Sequence, residues 1–404
     1  MAADLIARSL AASAQPRPKP YTGLIATRIN IPSLINASFK QMNFRRWHIA
    51  RDSVTRLQIA LPNWAANNAA GEIGTGGTAQ FTAAIERLDG SIERFAWGGE
   101  SQSPVVADGG QTPLTDTLTL TPPLKYGEWF AIRGYGVFSN AVPLCSLSTS
   151  AVAAAGDAVE YLASGLTDKS LGGTIGTNAA ITFGPCLIVG ETRRPSVALF
   201  GDSRVKGGSS SPGTDTADGS GDLGELARSI GPALAYMNMG SSSETLEGFL
   251  ANGSRRLANA AFCSHVLCNY GINDLSTLNR TSTQVLASIA ALAALPALNG
   301  KQVVWATITP RATSTDSWAT LANQTAHAKE ADRVAINEAL RARRVAGLAD
   351  VFDVSLAVES VINSGRFAIE NGGQAITGDG LHLNALGNQR ILRSAVIAAE
   401  RLVR

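Results

Sequence analysis

The sequence predicts two halves of different class: a β-rich amino-terminal half, residues 1–190, of sandwich or jelly-roll type, and an α/β half, residues 191–404. Three observations carry this. In the first half, short runs of Val, Ile, Thr and aromatic residues recur between Gly- and Pro-rich turns, with little 3.6-residue periodicity. In the second half, apolar strands alternate with helical stretches, the pattern of a parallel sheet covered on both faces. The chain is 45% hydrophobic and only 16% charged, which suits large cores and excludes a disordered chain.

Taken in order, the first half offers strands in TGLIATRINI, SVTRLQIAL, FTAAIERL, SIERFAW, TDTLTLT and EWFAIRGYGVF. Asp89-Gly90 lies between two of them and predicts a two-residue hairpin. GEIGTGGTAQ contains a GxGxxA pattern at Gly74 but lacks a strand before it and a helix after it, so it reads as a loop. Trp47, Trp64, Trp97 and Trp129 fall in this half; stacking on sugar rings is one use for them and core packing the commoner one.

The halves divide at Glu191-Thr-Arg193-Arg194-Pro195, where proline disfavours helix and a strand begins at once. The strands of the second half are SVALFGDS, ALAYMNMG, HVLCNYGIND, QVVWATITP and LADVFDVS. Helices are expected around Leu223–Ile230, in TQVLASIAALAAL, in EADRVAINEALRARR and in the closing NALGNQRILRSAVIAAERLV. In open sheets of this kind the functional site lies beyond the carboxyl ends of the strands.

Several function classes drop out. The net charge of +2, without a basic arm, leaves nothing to drive nucleic-acid binding through phosphates. No 18-residue apolar run predicts a membrane span. The first eighteen residues resemble a signal peptide only superficially, since Asp4 spoils the basic region and Arg8 interrupts the apolar one. Four cysteines do not make a disulfide scaffold, and whether Cys145 and Cys186 pair is not decided by sequence. Cys263, His265 and Cys268 have no common zinc spacing and read as residues of a buried strand.

The chemistry sits at strand ends. Ser203 follows the apolar run ending in Gly201-Asp202, which places a hydroxyl at the mouth of the sheet. A serine hydroxyl needs a base, and the base needs an acceptor to fix its tautomer. Asp379 and His382 stand three apart near the carboxyl end, so one short loop supplies both. The other histidines fit worse: His48 lies in the β half, His265 begins a strand and His327 falls on a polar helix. Attack on an ester creates an oxyanion that needs preorganised donors. Gly240 and Asn273, each closing a strand, offer a backbone N–H and an amide N–H, and the Ser203 N–H is a third. Arg204, beside the nucleophile, either meets a polar substrate or pairs with Asp202. The small-residue segment Lys206–Gly221 is a lid, a substrate wall or a surface loop.

In these blocks, GDS at Ser203, the glycine at Gly240, GxND at Asn273 and DxxH at Asp379 and His382, the sequence resembles the SGNH hydrolases, or GDSL esterases, over about residues 196–404. The family often has a second glycine where Ser241 to Ser243 stand, and proline where Leu383 stands. The resemblance implies a flavodoxin-like three-layer α/β/α domain and a serine esterase needing no metal or organic cofactor. It also tilts the reading toward removal of small acyl groups, chiefly acetyl, from a carbohydrate, because β-rich accessory domains often accompany such esterases. The substrate is then a small acyl ester or an acetylated glycan. The rival readings are a lipid esterase, lysophospholipase or thioesterase, and a non-catalytic adhesin or phage-particle component. Because triad and donors all lie after residue 200, a chain beginning near Thr192 is expected to keep activity on a small ester if it folds.

Overall fold

The computed structural model describes residues 19–67, 71–145, 156–176, 181–207, 221–370 and 372–403. The amino-terminal eighteen residues and most of the Lys206–Gly221 segment lie outside the described residues.

The first half contains two large antiparallel sheets and two short strand pairs among its described residues. One has four strands, in the spatial order Tyr21–Leu24, Leu187–Thr192, Val54–Ala60 and Leu118–Leu124. The other has five, in the order Ala158–Leu162, Gln41–Ile49, Trp129–Phe138, Ala79–Arg87 and Ile92–Arg94. The Asp89-Gly90 turn closes the last pair: Gly90 has φ +85°, Asp89 Oδ1 accepts the Ser91 N–H at 2.9 Å, and Ala84 to Glu86 pair with Arg94 to Ile92. The glycine-rich stretch read as a loop is partly strand, since Glu72–Gly74 pairs antiparallel with Trp64–Ala66. Trp47, Trp64 and Trp97 are buried, so they pack the core and present no sugar-binding face.

The second half is built on a six-stranded parallel sheet. Its order is Ile29–Asn30, Ala235–Asn238, Ser196–Phe200, His265–Cys268, Gln302–Ala306, Asp350–Phe352. The five strands from the second half thus run 2-1-3-4-5, the doubly wound order with its switch point beside the first strand. The sixth comes from the other half of the chain: Ile29 and Asn30 pair in parallel with Met237 and Asn238.

Alternation sorts each strand between two cores. Val197 and Leu199 enter the cluster that holds Leu226, Ile230, Val354 and Ile391, from helices on one face. Ala198 and Phe200 enter the cluster that holds Val285, Ile289 and Leu340, from helices on the other. The second cluster runs on without a break into the amino-terminal half, through Leu24, Ile25, Ile29, Leu57 and Phe81. The helix Ser282–Ala293 shows why such segments form. Thr281 and Gln284 make a capping box at its start, and Val285, Ile289 and Leu292 bury one stripe. The last helix, Ala385–Ser394, is capped by Asn384 and stops where Ala395 turns left-handed, at φ +53°. His327 lies just before the helix Glu330–Arg341, not on it. All four cysteines are buried and no disulfide joins any two of them, Cys145 and Cys186 included. Among the described residues, no helix is long and apolar enough to cross a membrane.

Candidate active site

Ser203 opens a four-residue helix, Ser203–Lys206, directly after the first strand of the parallel sheet. Asp202 caps this helix, its Oδ1 accepting the Arg204 N–H at 2.9 Å, so the Ser203 N–H is left out of the cap. Gly201 makes the sharp turn possible, because a Cβ there would crowd the Val205 and Asn269 side chains.

Asp379 and His382 share one short loop that is pinned at both ends. Thr377 bridges Leu383 across it, the Thr377 hydroxyl donates to the His382 carbonyl at 2.8 Å, and the Gly380 N–H donates to Thr377 Oγ1 at 2.9 Å. Gly380 sits at φ +73°, and a Cβ there would run into the Trp318 ring and the Ala312 carbonyl. Ala312 donates its N–H to the Gly380 carbonyl at 2.9 Å, so the 312–318 segment braces the loop from outside. Sequence reading missed this brace, since nothing in the chain order points from Trp318 to Gly380.

The two pieces meet. His382 Nε2 lies 2.8 Å from Ser203 Oγ, and His382 Nδ1 lies 2.6 Å from Asp379 Oδ2. Burial opposes ionisation of Asp379. Hydrogen bonds from the His382 ring and from the backbone N–H groups of His382 and Leu381 outweigh it and bring the carboxyl down to about 2. An ionised Asp379 requires Nδ1 to carry the proton. Nε2 is then the acceptor and the serine hydroxyl donates to it.

The three expected oxyanion donors are placed differently from one another. Gly240 packs against the helix that Ser203 opens: a Cβ there would overlap the Lys206 backbone nitrogen. Its N–H, however, donates to Asn238 Oδ1 at 3.1 Å, so this donor is shared with a side chain the sequence did not single out. Asn273 lies buried in the first turn of the helix Ile272–Ser276, and its Nδ2 donates one hydrogen to the Glu244 carbonyl at 3.0 Å. An amide nitrogen carries two hydrogens, so a second remains. Arg204 is buried and takes the pairing alternative, with Nε 3.5 Å from Asp202 Oδ1 and 3.7 Å from Glu225 Oε1.

A cavity of about 190 Å³ is lined by Ser243, Glu244, Thr245, Gly248, Thr277, Leu278 and, from the other half, Gly71. Among the described residues, no three His, Cys, Asp or Glu side chains gather as a metal site.

Comparison with known proteins matches residues 197–394 to the model of the GDSL-like lipase/acylhydrolase family. No curated protein matches. Solved structures with likeness to this chain include a member of the lipolytic protein G-D-S-L family from Veillonella parvula (18% identity, 51% of this chain, 98% of that chain, TM-score 0.35). Another is a carbohydrate acetylesterase from Sinorhizobium meliloti (20% identity, 52% of this chain, 100% of that chain, TM-score 0.35). A third is a variant of an acetyl-xylooligosaccharide esterase from Geobacillus Stearmophilus (16% identity, 52% of this chain, 96% of that chain, TM-score 0.37). Residues 197–394 are thus a GDSL-like lipase/acylhydrolase domain.

Proposed function

We propose that the protein is a serine ester hydrolase that removes small acyl groups, acetyl foremost, from a hydroxyl-rich alcohol such as a carbohydrate. The observation that carries this is the continuous relay from Ser203 Oγ through His382 to Asp379, at 2.8 and 2.6 Å. Ser203 Oγ attacks the ester carbonyl while His382 Nε2 takes its proton; the same proton then goes to the departing alcohol. Asp379 holds the ring and stabilises its positive charge. Water, deprotonated by His382, releases the acyl group in the second half of the cycle. The Ser203 N–H and the second Asn273 Nδ2 hydrogen meet the oxyanion, with Gly240 contributing once its N–H turns from Asn238. Residues 1–190 act here as a supporting half and 191–404 as the hydrolase.

Ser203→Ala should abolish hydrolysis of p-nitrophenyl acetate without unfolding, and a fluorophosphonate should label the parent protein at Ser203 alone. On the parent, turnover should fall as the acyl chain lengthens from acetyl to octanoyl. Residual turnover in the folded Ser203→Ala protein overturns the mechanism. A preference for octanoyl overturns the acetyl assignment in favour of a lipid esterase.

A further inference from the structure

We propose that Glu72, in the amino-terminal half, is a positioning residue for the oxyanion donor Asn273, acting through Arg256 and Glu244. The inference rests on the reading of Asn273 as an oxyanion donor. Glu72 follows the short hairpin partner strand Trp64–Ala66, and its side chain reaches across to the other half. Its Oε1 accepts both the Arg256 N–H, at 3.0 Å, and the Arg256 Nε–H, at 2.8 Å. Its Oε2 accepts the Arg255 N–H at 2.7 Å. The far edge of the Arg256 guanidinium grips Glu244 with two parallel bonds, each 2.6 Å. Tyr270 donates its hydroxyl to the same Glu244 carboxylate at 2.6 Å.

These groups hold the loop that carries Gly240 and the helix that carries Asn273. Arg256 Nη1 also donates to the Met239 carbonyl at 3.3 Å, immediately before Gly240. The Glu244 carbonyl accepts from Asn273 Nδ2 at 3.0 Å. That bond decides which Asn273 hydrogen is spent on the protein and which is aimed at the substrate. The side chains of Glu72, Arg256 and Glu244 are 1%, 0% and 2% exposed. Charges this deep are held rigidly when each is paired, and an Arg fork fixes a carboxylate in both distance and angle. Take Glu72 away and the Nε edge of Arg256 loses its partner. The guanidinium is then free to rotate, and Glu244 and its carbonyl follow. A plain tie between halves would not run to Asn273. Gln111 is such a tie, its Nε2 donating to Asn259 Oδ1 at 2.9 Å without touching Glu244.

The test is steady-state kinetics of the full chain on p-nitrophenyl acetate, with Glu72→Ala, Glu72→Gln, Asn273→Ala and the doubles. Glu72→Gln keeps a carbonyl for Arg256 and remains foldable where Glu72→Ala is not. Asn273→Ala should lower kcat by roughly 10²–10³-fold with little change in KM. Glu72→Ala should lower kcat by about tenfold with KM within about twofold, and Glu72→Gln by less. In the Asn273→Ala background neither Glu72 change should lower kcat further, and Gln111→Leu should leave kcat as it was. If Asn273→Ala matters and the Glu72 changes either leave kcat intact or lower it equally in both backgrounds, the positioning role is wrong. If Asn273→Ala itself keeps full kcat, the oxyanion reading falls first and takes this proposal with it.

Discussion

At the scale of single residues, the site depends on one proton being kept on one nitrogen. Asp379 is held down to about 2 by the His382 ring and two backbone N–H groups, against the cost of its burial. Asp379 should therefore stay ionised throughout the working range and add no acid step to kcat/KM above about pH 3; a step there that Asp379→Asn removes would mean that the carboxyl titrates. Asp379→Asn removes the acceptor that fixes Nδ1–H and should lower kcat roughly 10⁴-fold, the usual scale for such a tautomer error, with KM nearly unchanged. An Asn variant that stays within tenfold of the parent would show that Thr377, Trp318 and the rest of the loop orient the imidazole without the carboxylate. The residues named from sequence alone were those whose chemistry is local: a serine at a strand end and an acid and a base three apart. Glu72, Arg256, Glu244 and Trp318 escaped notice because each acts through a contact made only in three dimensions, Glu72 and Arg256 being 184 positions apart.

At the scale of elements, the parallel strands and their helices were legible because period 2 and period 3.6 are both clean there. Val197, Ala198, Leu199 and Phe200 fill two cores in alternation, and Val285, Ile289 and Leu292 fall on one helix face. The interior strand Gln41–Ile49, second in its sheet, was not legible. Asn43 and Arg46 interrupt its apolar pattern, yet both are buried: Asn43 Nδ2 donates to Glu160 and to the Thr167 carbonyl, and Arg46 Nη1 meets Asp157 at 3.0 Å. Partners distant in sequence made those polar positions tolerable. The same strand carries His48, whose ring burial drives down to about 3 despite the Thr27 carbonyl beside Nδ1. His265, at the start of another strand, is driven by burial to about 4. A histidine whose folded value lies below its unfolded ~6.5 binds its proton only on unfolding. Its contribution to stability is whole above pH 6.5 and is lost as pH falls toward the folded value. For His48 this amounts to on the order of 3 kcal/mol by pH 4, at roughly 1.4 kcal/mol per unit. Glu225 and Asp274, whose carboxyls burial pushes up, pull the other way, so the comparison belongs to a variant and not to the parent alone. Melting temperature should fall from pH 6.5 to 4, and in His48→Gln the fall should be clearly smaller. Parallel curves for the two proteins would mean that the His48 ring is solvated or already charged.

At the scale of the whole molecule, the half that carries the sequence blocks shares its sheet and one of its two cores with the other half. The block pattern begins at Ser203, but the sheet that carries it borrows Ile29–Asn30 as an edge strand. One face of that sheet, through Ala198, Phe200, Met237 and Trp305, shares a continuous core with Leu24, Ile25, Ile29 and Phe81 of the other half. Leu187–Thr192, the last strand before the catalytic sheet, is hydrogen-bonded on both sides to strands from residues 21–60. A chain beginning near Thr192 would expose that core face to water and leave the Arg256 guanidinium without Glu72. The expectation drawn from the blocks alone, that such a chain keeps small-ester activity if it folds, turns on that condition, and the shared core and borrowed strand predict that it does not fold. Activity on p-nitrophenyl acetate and on an acetylated xylan should be lost together, because the defect lies in the fold and not in recognition of a polymer. The intact protein should correspondingly unfold in one calorimetric transition, with calorimetric and van't Hoff enthalpies in agreement, since a shared core cannot melt in halves. Two resolved transitions, or a shortened chain that hydrolyses the small ester at the parent's rate, would show that the amino-terminal half is a separable accessory and that the bonds through Glu72 join two independent folds.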